Sequence, residues 1–316
     1  MLYPLFFEPV YKEIIWGGRK LEKYFKRQIP DGNIAESWDV SCHKSGMSII
    51  RNGKLKGKTL KEVLDFYGED ILGTKYNSFP LLVKLIDAND KLSVQVHPDD
   101  EYANRVENQL GKTEMWYVID AKEDAKLIYG LKKGITKDDF KKAISYNTVE
   151  ECLNYVSVTK GDIIYIPSGT VHAIMDGLLL AEIQQSSDVT YRIYDWNRVD
   201  KNGNKRELHV DKALDVINFN FEGLVLKPNF KDFKNFSIAD AVISPYFNVK
   251  IIKISESYKS TSNNDTFTIY TAVEGIGEIK CDNTNFTINK GDSFLIPATL
   301  GNYEITGCLT LLETTA

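Results

Sequence analysis

Short apolar segments that alternate with polar residues dominate the chain and predict β-strands. The clearest is residues 92–98, in which leucine and valine alternate with Ser93, Gln95 and His97. Because successive side chains of a strand point to opposite faces, these three polar residues share one face. An ordinary exposed face is the alternative, but a glutamine and a histidine in so apolar a segment favour a face that looks onto water or a metal ion. Further predicted strands are residues 35–41, 81–87, 111–119, 125–129 and 178–184.

Residues 160–176 place a single histidine between turn residues. Their sequence is Lys-Gly-Asp-Ile-Ile-Tyr-Ile-Pro-Ser-Gly-Thr-Val-His-Ala-Ile-Met-Asp. The turn residues on either side of two apolar runs predict a hairpin that holds His172 in one orientation, although a buried structural histidine is the alternative. The spacing Gly-x5-Pro-x-Gly-x2-His-x3-Asp resembles the second signature of the cupins, small β-barrels with a central metal ion. Asp176 stands where that signature usually has asparagine.

Apolar residues at helical spacing predict helices elsewhere. Thr59 is an N-cap residue for a helix over residues 60–66, and Pro98 with Asp99 opens another that extends to residue 110. Two helices are expected within residues 136–155, inserted between strands. The other predicted helices are residues 21–25 and 207–218.

A second copy of the turn-strand motif lies near the end of the chain. Residues 290–297 repeat residues 160–167 at Lys, Gly, Asp, Ile and Pro. Five residues beyond the proline, the first copy has His172 and the second has Asn302, so the second unit keeps the predicted hairpin and lacks the ligand. The predicted fold is mainly β, with two cupin or jelly-roll β-barrels in tandem and helical insertions in the N-terminal one. The polar stretch 228–236 marks the boundary, and the predicted domains are residues 1–230 and 231–316.

Composition narrows the class of protein. The 316 residues include 17 Tyr, 15 Phe and 4 Trp, and the net charge of −5 is spread without a basic block, which argues against a nucleic-acid partner. No apolar run approaches the roughly 18 residues of a membrane span, and the first residues lack the pattern of a signal peptide. The cysteines are scattered without CxxC pairing, which predicts reduced thiols in a cytoplasmic protein. They are Cys42, Cys152, Cys281 and Cys308.

Two of the four histidines, His97 and His172, lie on predicted strands and are candidate metal ligands. Catalytic zinc sites combine histidine nitrogens with a carboxylate and keep one position open. Glu101 has the usual cupin spacing after His97, whereas Glu114 lies on the polar face of the next strand. Because a proline ends the first strand and puts Glu101 on a helix that faces away, Glu114 is preferred. The remaining histidines, assigned to a turn and to the start of a helix, are His43 and His209.

Several segments, in order over most of the first 215 residues, resemble the type I mannose-6-phosphate isomerases in their short bacterial form. They are Trp16-Gly17-Gly18, Ala35-Glu36-Ser37-Trp38, residues 95–99, 111–117 and 160–176, and Ser187-Asp188 with Arg192. The resemblance implies one Zn²⁺ ion bound by His97, Glu114 and His172, with Gln95 as a further metal ligand or a substrate contact. It implies catalytic roles for Arg192, Lys112 and Asp188. Longer members carry an additional helical domain that this length cannot contain.

The resemblance implies interconversion of mannose 6-phosphate and fructose 6-phosphate through a cis-enediol. This reaction moves a proton between C1 and C2 and needs both a proton-transfer group and positive charge near the sugar oxygens. Arg192 cannot readily lose its proton, so it is a poor base and a good stabiliser of negative charge. Lys112 could shuttle the proton if its pKa is lowered, and Asp188 could act in ring opening or hold Arg192 in place. A plain ion pair between Asp188 and Arg192 is the alternative, and the identity of the base stays open.

The phosphate-binding residues are less well defined, because no glycine-rich phosphate loop stands out. The candidate substrate-binding residues, besides Gln95, are Lys84, Arg19 and Arg198. A cupin oxygenase that uses iron and a non-catalytic sugar-phosphate sensor are alternative functions. Lys112 and Arg192 favour an anionic sugar and proton transfer over both. The sequence leaves the oligomeric state and the direction of flux open.

Overall fold

A computed structural model describes residues 2–199, 202–282 and 284–316, which form mainly antiparallel β-sheet, as predicted. The strands are β1 (Leu5–Glu8), β2 (Val10–Gly18), β3 (Ile34–His43), β4 (Gly46–Met47), β5 (Ile49–Ile50), β6 (Leu81–Ala88), β7 (Val94–Val96), β8 (Glu114–Ala121), β9 (Lys126–Leu131), β10 (Leu153–Ser157), β11 (Ile163–Ile166), β12 (His172–Ile174), β13 (Leu178–Gln185), β14 (Tyr191–Tyr194), β15 (Lys231–Asp232), β16 (Phe236–Ile243), β17 (Asn248–Ile254), β18 (Ser257–Thr261), β19 (Thr268–Cys281), β20 (Thr284–Asn289), β21 (Ser293–Ile296) and β22 (Asn302–Thr315). The helices are α1 (Lys20–Phe25), α2 (Leu60–Leu72), α3 (Asp100–Glu107), α4 (Lys137–Ser145) and α5 (Val210–Val216).

The first half of the chain forms two sheets. A seven-stranded sheet has the order β11-β8-β13-β6-β3-β2, with β4 on β3, and a five-stranded sheet has the order β10-β9-β12-β7-β14. Every residue of β6 and β13 is buried. One face of these strands packs with the five-stranded sheet, and the other packs with the second half of the chain. Burial on both faces explains why the two strands are almost continuously apolar.

The second half repeats the larger sheet of the first. Its ten-stranded sheet contains the order β21-β19-β22-β17-β16-β15, which matches β11-β8-β13-β6-β3-β2 strand for strand. The registers match as well. Across four strands, the aligned residues are Ile164, Trp116, Glu182 and Lys84 in the first half, and Phe294, Tyr270, Glu313 and Lys250 in the second. The similarity suggested by residues 290–297 thus extends over the whole sheet.

The predicted hairpin around His172 is wrong in its pairing. Strand β11 pairs with β8 in the seven-stranded sheet, whereas β12 pairs with β7 and β9 in the five-stranded sheet. The turn at residues 167–170 therefore carries the chain from one sheet to the other. Gly169 has φ +83°, and a Cβ there would lie 2.9 Å from the Val216 carbonyl oxygen, so the turn requires glycine. His172 is consequently delivered into the space between the two sheets.

The helix predictions hold in part. Thr59 caps α2 in a reciprocal capping box with Glu62, and Asp99 caps α3. Only one α-helix forms within residues 136–155, because the chain from Val149 makes a 3₁₀ turn and then enters β10. Helix α5 is shorter than predicted. No helix in the described part of the chain is long and apolar enough to cross a membrane.

The first strand of the chain belongs to the sheet of the second half. Residues Leu5 and Phe6 of β1 pair with β21, and β1 also pairs with β5. A large apolar cluster joins the halves and includes Phe7 and Leu85 from the first and Phe267 and Leu295 from the second. The boundary at residue 230 and the separate barrels stay predictions.

Candidate functional site

Three predicted metal ligands converge between the two sheets. His97 directly follows β7, Glu114 begins β8 and His172 begins β12. The Nε2 atoms of His97 and His172 lie 3.6 Å and 3.3 Å from the two carboxylate oxygens of Glu114. Four ligands around zinc at about 2.0–2.1 Å are separated by about 3.3 Å in a tetrahedral site, so this spacing suits a metal ion. One ligand atom from each residue lies within 4.8 Å of the others.

Backbone carbonyls fix the orientation of both imidazole rings. Nδ1 of His97 lies 2.8 Å from the Val189 carbonyl oxygen, and Nδ1 of His172 lies 2.9 Å from the Thr170 carbonyl oxygen. A carbonyl only accepts, so each Nδ1 is the protonated nitrogen. The lone pair of each Nε2 therefore points toward Glu114, as a metal ligand requires.

Burial controls the ionisation of these three groups. It lowers the pKa of His97 well below 6.5 and that of His172 to about 4, and Lys112 contributes in the same direction at both. Both rings are consequently neutral at physiological pH. Burial also raises the pKa of Glu114 to about 7, against the opposing effect of Lys112. Glu114 Oε1 has no hydrogen-bond donor among the described residues and Oε2 has the Lys112 ammonium 2.8 Å away, so lone pairs remain for a metal ion.

Lys112 and Gln95 border this cluster. The Lys112 ammonium lies 2.8 Å from Glu114 Oε2 and 2.9 Å from His97 Nε2, and the whole side chain is almost fully buried. The Gln95 amide nitrogen lies 3.3 Å from His172 Nε2. Gln95 is therefore beside the metal-facing edge of His172, where either its amide oxygen or its nitrogen could be turned inward.

A polar cavity lies beside the cluster, and Lys112 and Gln95, which contact the two histidines, are part of its wall. Two adjoining compartments, of about 320 and 370 Å³, share Glu36, Lys84, Lys112 and Asp188 in their walls. The smaller also includes Gln95, Glu182, Arg192 and Arg206. Several of the residues predicted to bind substrate or act in catalysis are thus brought together around one space of sugar-phosphate size.

Lys84 and Glu182 form a buried ion pair in the cavity wall. Their Nζ and Oε1 atoms are 2.8 Å apart, and the Trp116 indole donates to the other Glu182 oxygen at 2.9 Å. Burial opposes both charges, but Glu182 and Glu36 together raise the pKa of Lys84 above its ordinary value. Lys84 and Lys112 likewise outweigh burial at Glu182 and lower its pKa to about 2. Both groups are therefore charged, and Lys84 is a poor proton donor.

Arg192 lies at the side of the cavity on β14. Its Nε donates to Ser93 Oγ at 3.3 Å and one terminal nitrogen donates to the Glu207 carbonyl oxygen at 2.8 Å. Burial, followed by the neighbouring Arg206, lowers the pKa of Arg192, although an arginine remains protonated at neutral pH. Arg206 is held by Asp195 at 2.8 Å. The cavity wall thus holds two adjacent guanidinium groups.

Asp188 and Arg192 line the same cavity without forming the ion pair that we considered. Asp188 precedes β14, outside a continuous strand, and accepts from Ser45 Oγ at 2.7 Å. His43 Nε2 lies 3.8 Å from its other oxygen. Burial favours the neutral acid, but Ser45 and His43 outweigh it and lower the pKa of Asp188. No ion pair joins Asp188 and Arg192 among the described residues.

Two predicted substrate contacts lie outside the cavity walls. Arg19 binds Glu22 and the carbonyl oxygen of Gly32 near the start of α1. Arg198 binds Asp195 at 2.6 Å and the Lys91 carbonyl oxygen. Neither guanidinium group lines the cavity, so the structure gives no support to either as a phosphate contact. Their positions depend on long-range packing that sequence spacing does not reveal.

Five charged residues of the cavity were not predicted from the sequence as site residues, and they are Lys12, Glu13, Glu36, Glu182 and Arg206. Glu182 could have been identified from the sequence, because it is the single charged residue in the strand Leu-Leu-Leu-Ala-Glu-Ile-Gln-Gln. A charge in a strand buried on both faces requires a partner, and Lys84 occupies the corresponding position in β6. Arg206 lies in an irregular segment and left no comparable signal.

A larger cavity, of about 960 Å³, lies between the end of α1 and the second half of the chain. Its charged residues are largely paired with one another, as in Arg27 with Asp39 at 2.6 Å and Arg51 with Asp292 at 2.7 Å. It contains none of the candidate metal ligands. The smaller cavity beside the histidines is therefore the candidate functional site.

Comparisons with known proteins identify relatives of the chain. Residues 5–123 match the family model "Phosphomannose isomerase type I, catalytic domain", and residues 237–315 match "Mannose-6-phosphate isomerase, cupin domain". The chain is 44% identical to "Probable mannose-6-phosphate isomerase GmuF" of Bacillus subtilis over 97% of each chain. It is 38% identical to the mannose-6-phosphate isomerase of Streptococcus mutans over 99% of this chain and 98% of that one.

A crystal structure of the mannose 6-phosphate isomerase from Bacillus subtilis has the same fold. It superimposes with a TM-score of 0.93 at 38% sequence identity, over 99% of each chain. Full-length sequence similarity, two family models and a common fold support one conclusion. The chain belongs to the type I phosphomannose isomerase family.

Proposed function

We propose that the protein is a zinc-dependent isomerase that interconverts mannose 6-phosphate and fructose 6-phosphate through a cis-enediol. The observation that carries this proposal is the buried His97–Glu114–His172 cluster, which lies beside a cavity lined by Lys84, Lys112 and other cationic groups. The relatives at 38–44% identity bear the name of this activity. A cytoplasmic location and the absence of a nucleic-acid partner stay predictions, and the oligomeric state is open.

The ligand set suits zinc. His97 and His172 offer neutral nitrogens, Glu114 offers a buried carboxylate, and the adjoining cavity leaves room for substrate. Two imidazoles, one carboxylate and an open position are typical of catalytic zinc. Gln95 is a candidate for a further ligand because of its contact with His172. Bound zinc would supply positive charge that polarises the sugar carbonyl and orients the oxygens at C1 and C2.

We assign the proton transfer between C1 and C2 to Lys112, with Glu182 and Asp188 as the other groups in reach of the cavity. Lys112 contacts Glu114 and His97 directly, so it lies closest to where the sugar oxygens would be polarised. Lys112 also lines the cavity, so in its neutral amine form it could take the proton from one sugar carbon and return it to the other. Asp188 is ionised and could accept the hydroxyl proton during ring opening.

The guanidinium groups would bind the anionic parts of the substrate. Arg192 is held by Ser93 and by the Glu207 carbonyl oxygen, which leaves the remaining guanidinium donors for the enediolate or the phosphate. Arg206 is a second candidate for the phosphate and lines the same cavity. Lys84 would contribute a fixed positive charge rather than a proton, because its pKa is raised.

A coupled assay tests the proposal. Purified protein is incubated with mannose 6-phosphate, and fructose 6-phosphate is followed with and without a chelator, in air and under anaerobic conditions. We expect turnover that a chelator abolishes, that zinc restores, and that does not require dioxygen. Turnover that survives complete metal removal would contradict the metal role, and dependence on iron and dioxygen would favour an oxygenase. Binding of the sugar phosphate without turnover in the zinc-loaded protein would favour a sensor.

A further inference from the structure

Residues 110–113 enter β8 without belonging to a helix or a strand, although they carry Lys112 and lead directly into Glu114. Buried backbone groups of such a segment need specific partners. The Gly111 amide donates to Asp100 Oδ1 at 2.8 Å, and the Lys112 amide donates to the Pro98 carbonyl oxygen at 3.1 Å. These contacts, rather than a regular β-ladder, set the path of the chain just before Glu114.

Gln185 supplies the next contact and connects it to the first. Its side-chain oxygen accepts from the Thr113 amide at 2.8 Å, and its side-chain nitrogen donates to Asp100 Oδ1 at 3.0 Å. Its own amide donates to the Thr113 carbonyl oxygen at 3.1 Å. Gln185 is only 5% exposed. Asp100 Oδ1 thus accepts hydrogen bonds from both Gln185 and Gly111. Gln185 binds both the backbone N–H and the backbone carbonyl of Thr113.

We propose that Gln185 is a positioning residue of the isomerase site, acting with Asp100 to hold the backbone between Gly111 and Glu114. Thr113, which it binds, separates Lys112 from Glu114 along the chain. A shift of the Thr113 backbone therefore displaces the proposed proton-transfer group and the carboxylate ligand together. This inference rests on the proposed function and adds to it a residue that does not line the cavity and has no contact with the metal ligands' side chains.

The end of β13 is itself fixed, so Gln185 can act as an anchor. The Gln184 side-chain nitrogen donates to the carbonyl oxygens of Gln185 and Ser187, both at 2.7 Å. The Ser187 hydroxyl donates to the Leu110 carbonyl oxygen at 2.8 Å. Hydrogen bonds consequently join the segment before β8 to the end of β13 at two points, Leu110 with Ser187 and Thr113 with Gln185. Asp188, the next residue, is placed by the same connection.

The role requires an amide at position 185. One end must accept from a backbone N–H while the other donates to a carboxylate, and among side chains of this length only glutamine does both. A glutamate would keep the bond to Thr113 but would set a second carboxylate against Asp100. A leucine would keep the volume and lose both bonds. Changing Asp100 to asparagine beside a glutamate would restore a donor between the two positions.

The test compares Q185E, Q185L and the double variant D100N/Q185E in the full-length chain. The measured quantities are the zinc Kd from competition with a chromogenic chelator, kcat, KM and the thermal midpoint. We expect Q185E and Q185L to raise the zinc Kd and to lower kcat by about tenfold each, the lower end of what losing an outer-shell partner costs a metal site. KM should change little, since Gln185 does not line the cavity. The double variant should recover part of the lost zinc affinity relative to Q185E.

A matched control separates positioning from general stability. Ile252 lies fully buried in the second half, and I252A should lower the thermal midpoint while leaving the zinc Kd and kcat at wild-type values. If the Gln185 variants behave like I252A, or if the double variant is no better than Q185E, the proposal is wrong.

Should the Gln185 variants not fold, D100A and D100N replace them. D100A should weaken zinc binding and D100N should not, because asparagine keeps an acceptor oxygen for Gly111 and Gln185. Equal zinc affinity in D100A and the wild type would overturn the proposal. Because zinc affinity is measured without turnover, failure of the proposed activity is distinguishable from failure of this inference.

Discussion

The two halves of the molecule carry the same types of residue at the same positions of the same sheet. The aligned sets are Lys84, Glu182 and Trp116 in the first half, and Lys250, Glu313 and Tyr270 in the second. In both, an aromatic donor binds the glutamate, at 2.9 Å in the first half and 2.6 Å in the second. The surroundings differ. Lys84 and Glu182 are 7% and 5% exposed and line the cavity, whereas Lys250 is 46% exposed and lies 3.9 Å from its glutamate.

The interior of the second half is filled where the first half is open. Tyr270 contacts the hydroxyl of Tyr303 at 2.9 Å, and Tyr258 reaches the same glutamate at 3.2 Å. The ligand positions have changed as well. Register places Thr268 where the first half has Glu114, and Asn302, which is exposed and bonded to Thr261, stands for His172. The sheet and its turn are therefore a shared scaffold, and the two halves differ on its inner face at the positions of the proposed metal ligands.

The largest expected effect comes from exchanging the equivalent residues His172 and Asn302 for alanine. H172A should lose zinc and lower kcat by more than ~100-fold, since losing a direct ligand exceeds the cost of losing an outer-shell partner. N302A should keep both properties, because Asn302 is exposed and has no contact with the cluster. Zinc content and steady-state kinetics check this. Full turnover in a metal-free H172A protein would break the comparison.

Lys84 and Lys250 test the ion pairs. K84M leaves the buried Glu182 charge uncompensated and should lower the free energy of unfolding by about 3–5 kcal/mol. K250M removes a half-exposed partner at 3.9 Å and should cost about 0–1 kcal/mol. Urea unfolding at pH 7 measures both. Equal losses would mean that the two pairs are energetically alike despite their different burial.

The Lys84 effect should depend on pH in a defined direction. The folded-state pKa of Glu182, about 2, is below its ordinary 4.5. The native state thus binds fewer protons than the unfolded chain between these values. The stability from this carboxylate is present above pH 4.5 and is lost as the pH falls toward 2. The difference between wild type and K84M should therefore shrink on going from pH 7 to pH 3, and a difference that stays constant would contradict the pairing.

Arg192 tests the part of the site that comes from the five-stranded sheet. R192A should lower kcat by about 10²–10³-fold, typical of losing one group that stabilises developing negative charge. Zinc content should be unchanged, since Arg192 binds Ser93 and the Glu207 carbonyl oxygen rather than a metal ligand. R192K keeps the charge and loses the fork of donors, so an intermediate kcat is expected. A wild-type kcat in R192A would remove it from the chemistry.

Predictions from the sequence agree with the structure where a local pattern determines the direction of a side chain. Alternation placed Gln95 and His97 on one polar face, and in the structure His97 lies beside Glu114 of the next strand and Gln95 lies beside His172. These assignments need only the period of a strand. Local patterns also located the capping residue Thr59 and most strands. The grouping of His97, Glu114 and His172 follows from these short-range features together with the family resemblance.

The errors share a different cause, which is that they depend on how distant segments pack. Nothing in residues 160–176 indicates that the turn joins two sheets instead of two paired strands, because turn chemistry is the same in both cases. The partners of Arg19 near α1 likewise could not be read from its sequence neighbourhood, and its role as a phosphate contact stays a prediction. Glu182 became important only through Lys84, about a hundred residues away in sequence. A single sequence does not record such pairings.

The smallest expected effect concerns the hydroxyl of Tyr270, the counterpart of the Trp116 indole. Burial raises the pKa of Tyr270 well above 10, and the nearby Glu313 raises it further, so the phenol remains a donor. Y270F removes that bond while Tyr258 still donates to Glu313, and should lower the free energy of unfolding by about 1–2 kcal/mol. Zinc Kd and kcat should be unchanged, because the second half contributes none of the cavity's walls among the described residues. Urea unfolding together with steady-state kinetics measures both expectations. A clear fall in kcat with zinc still bound would show that packing in the second half controls the geometry of the first, and the filled sheet would then be a working part of the isomerase rather than a structural repeat.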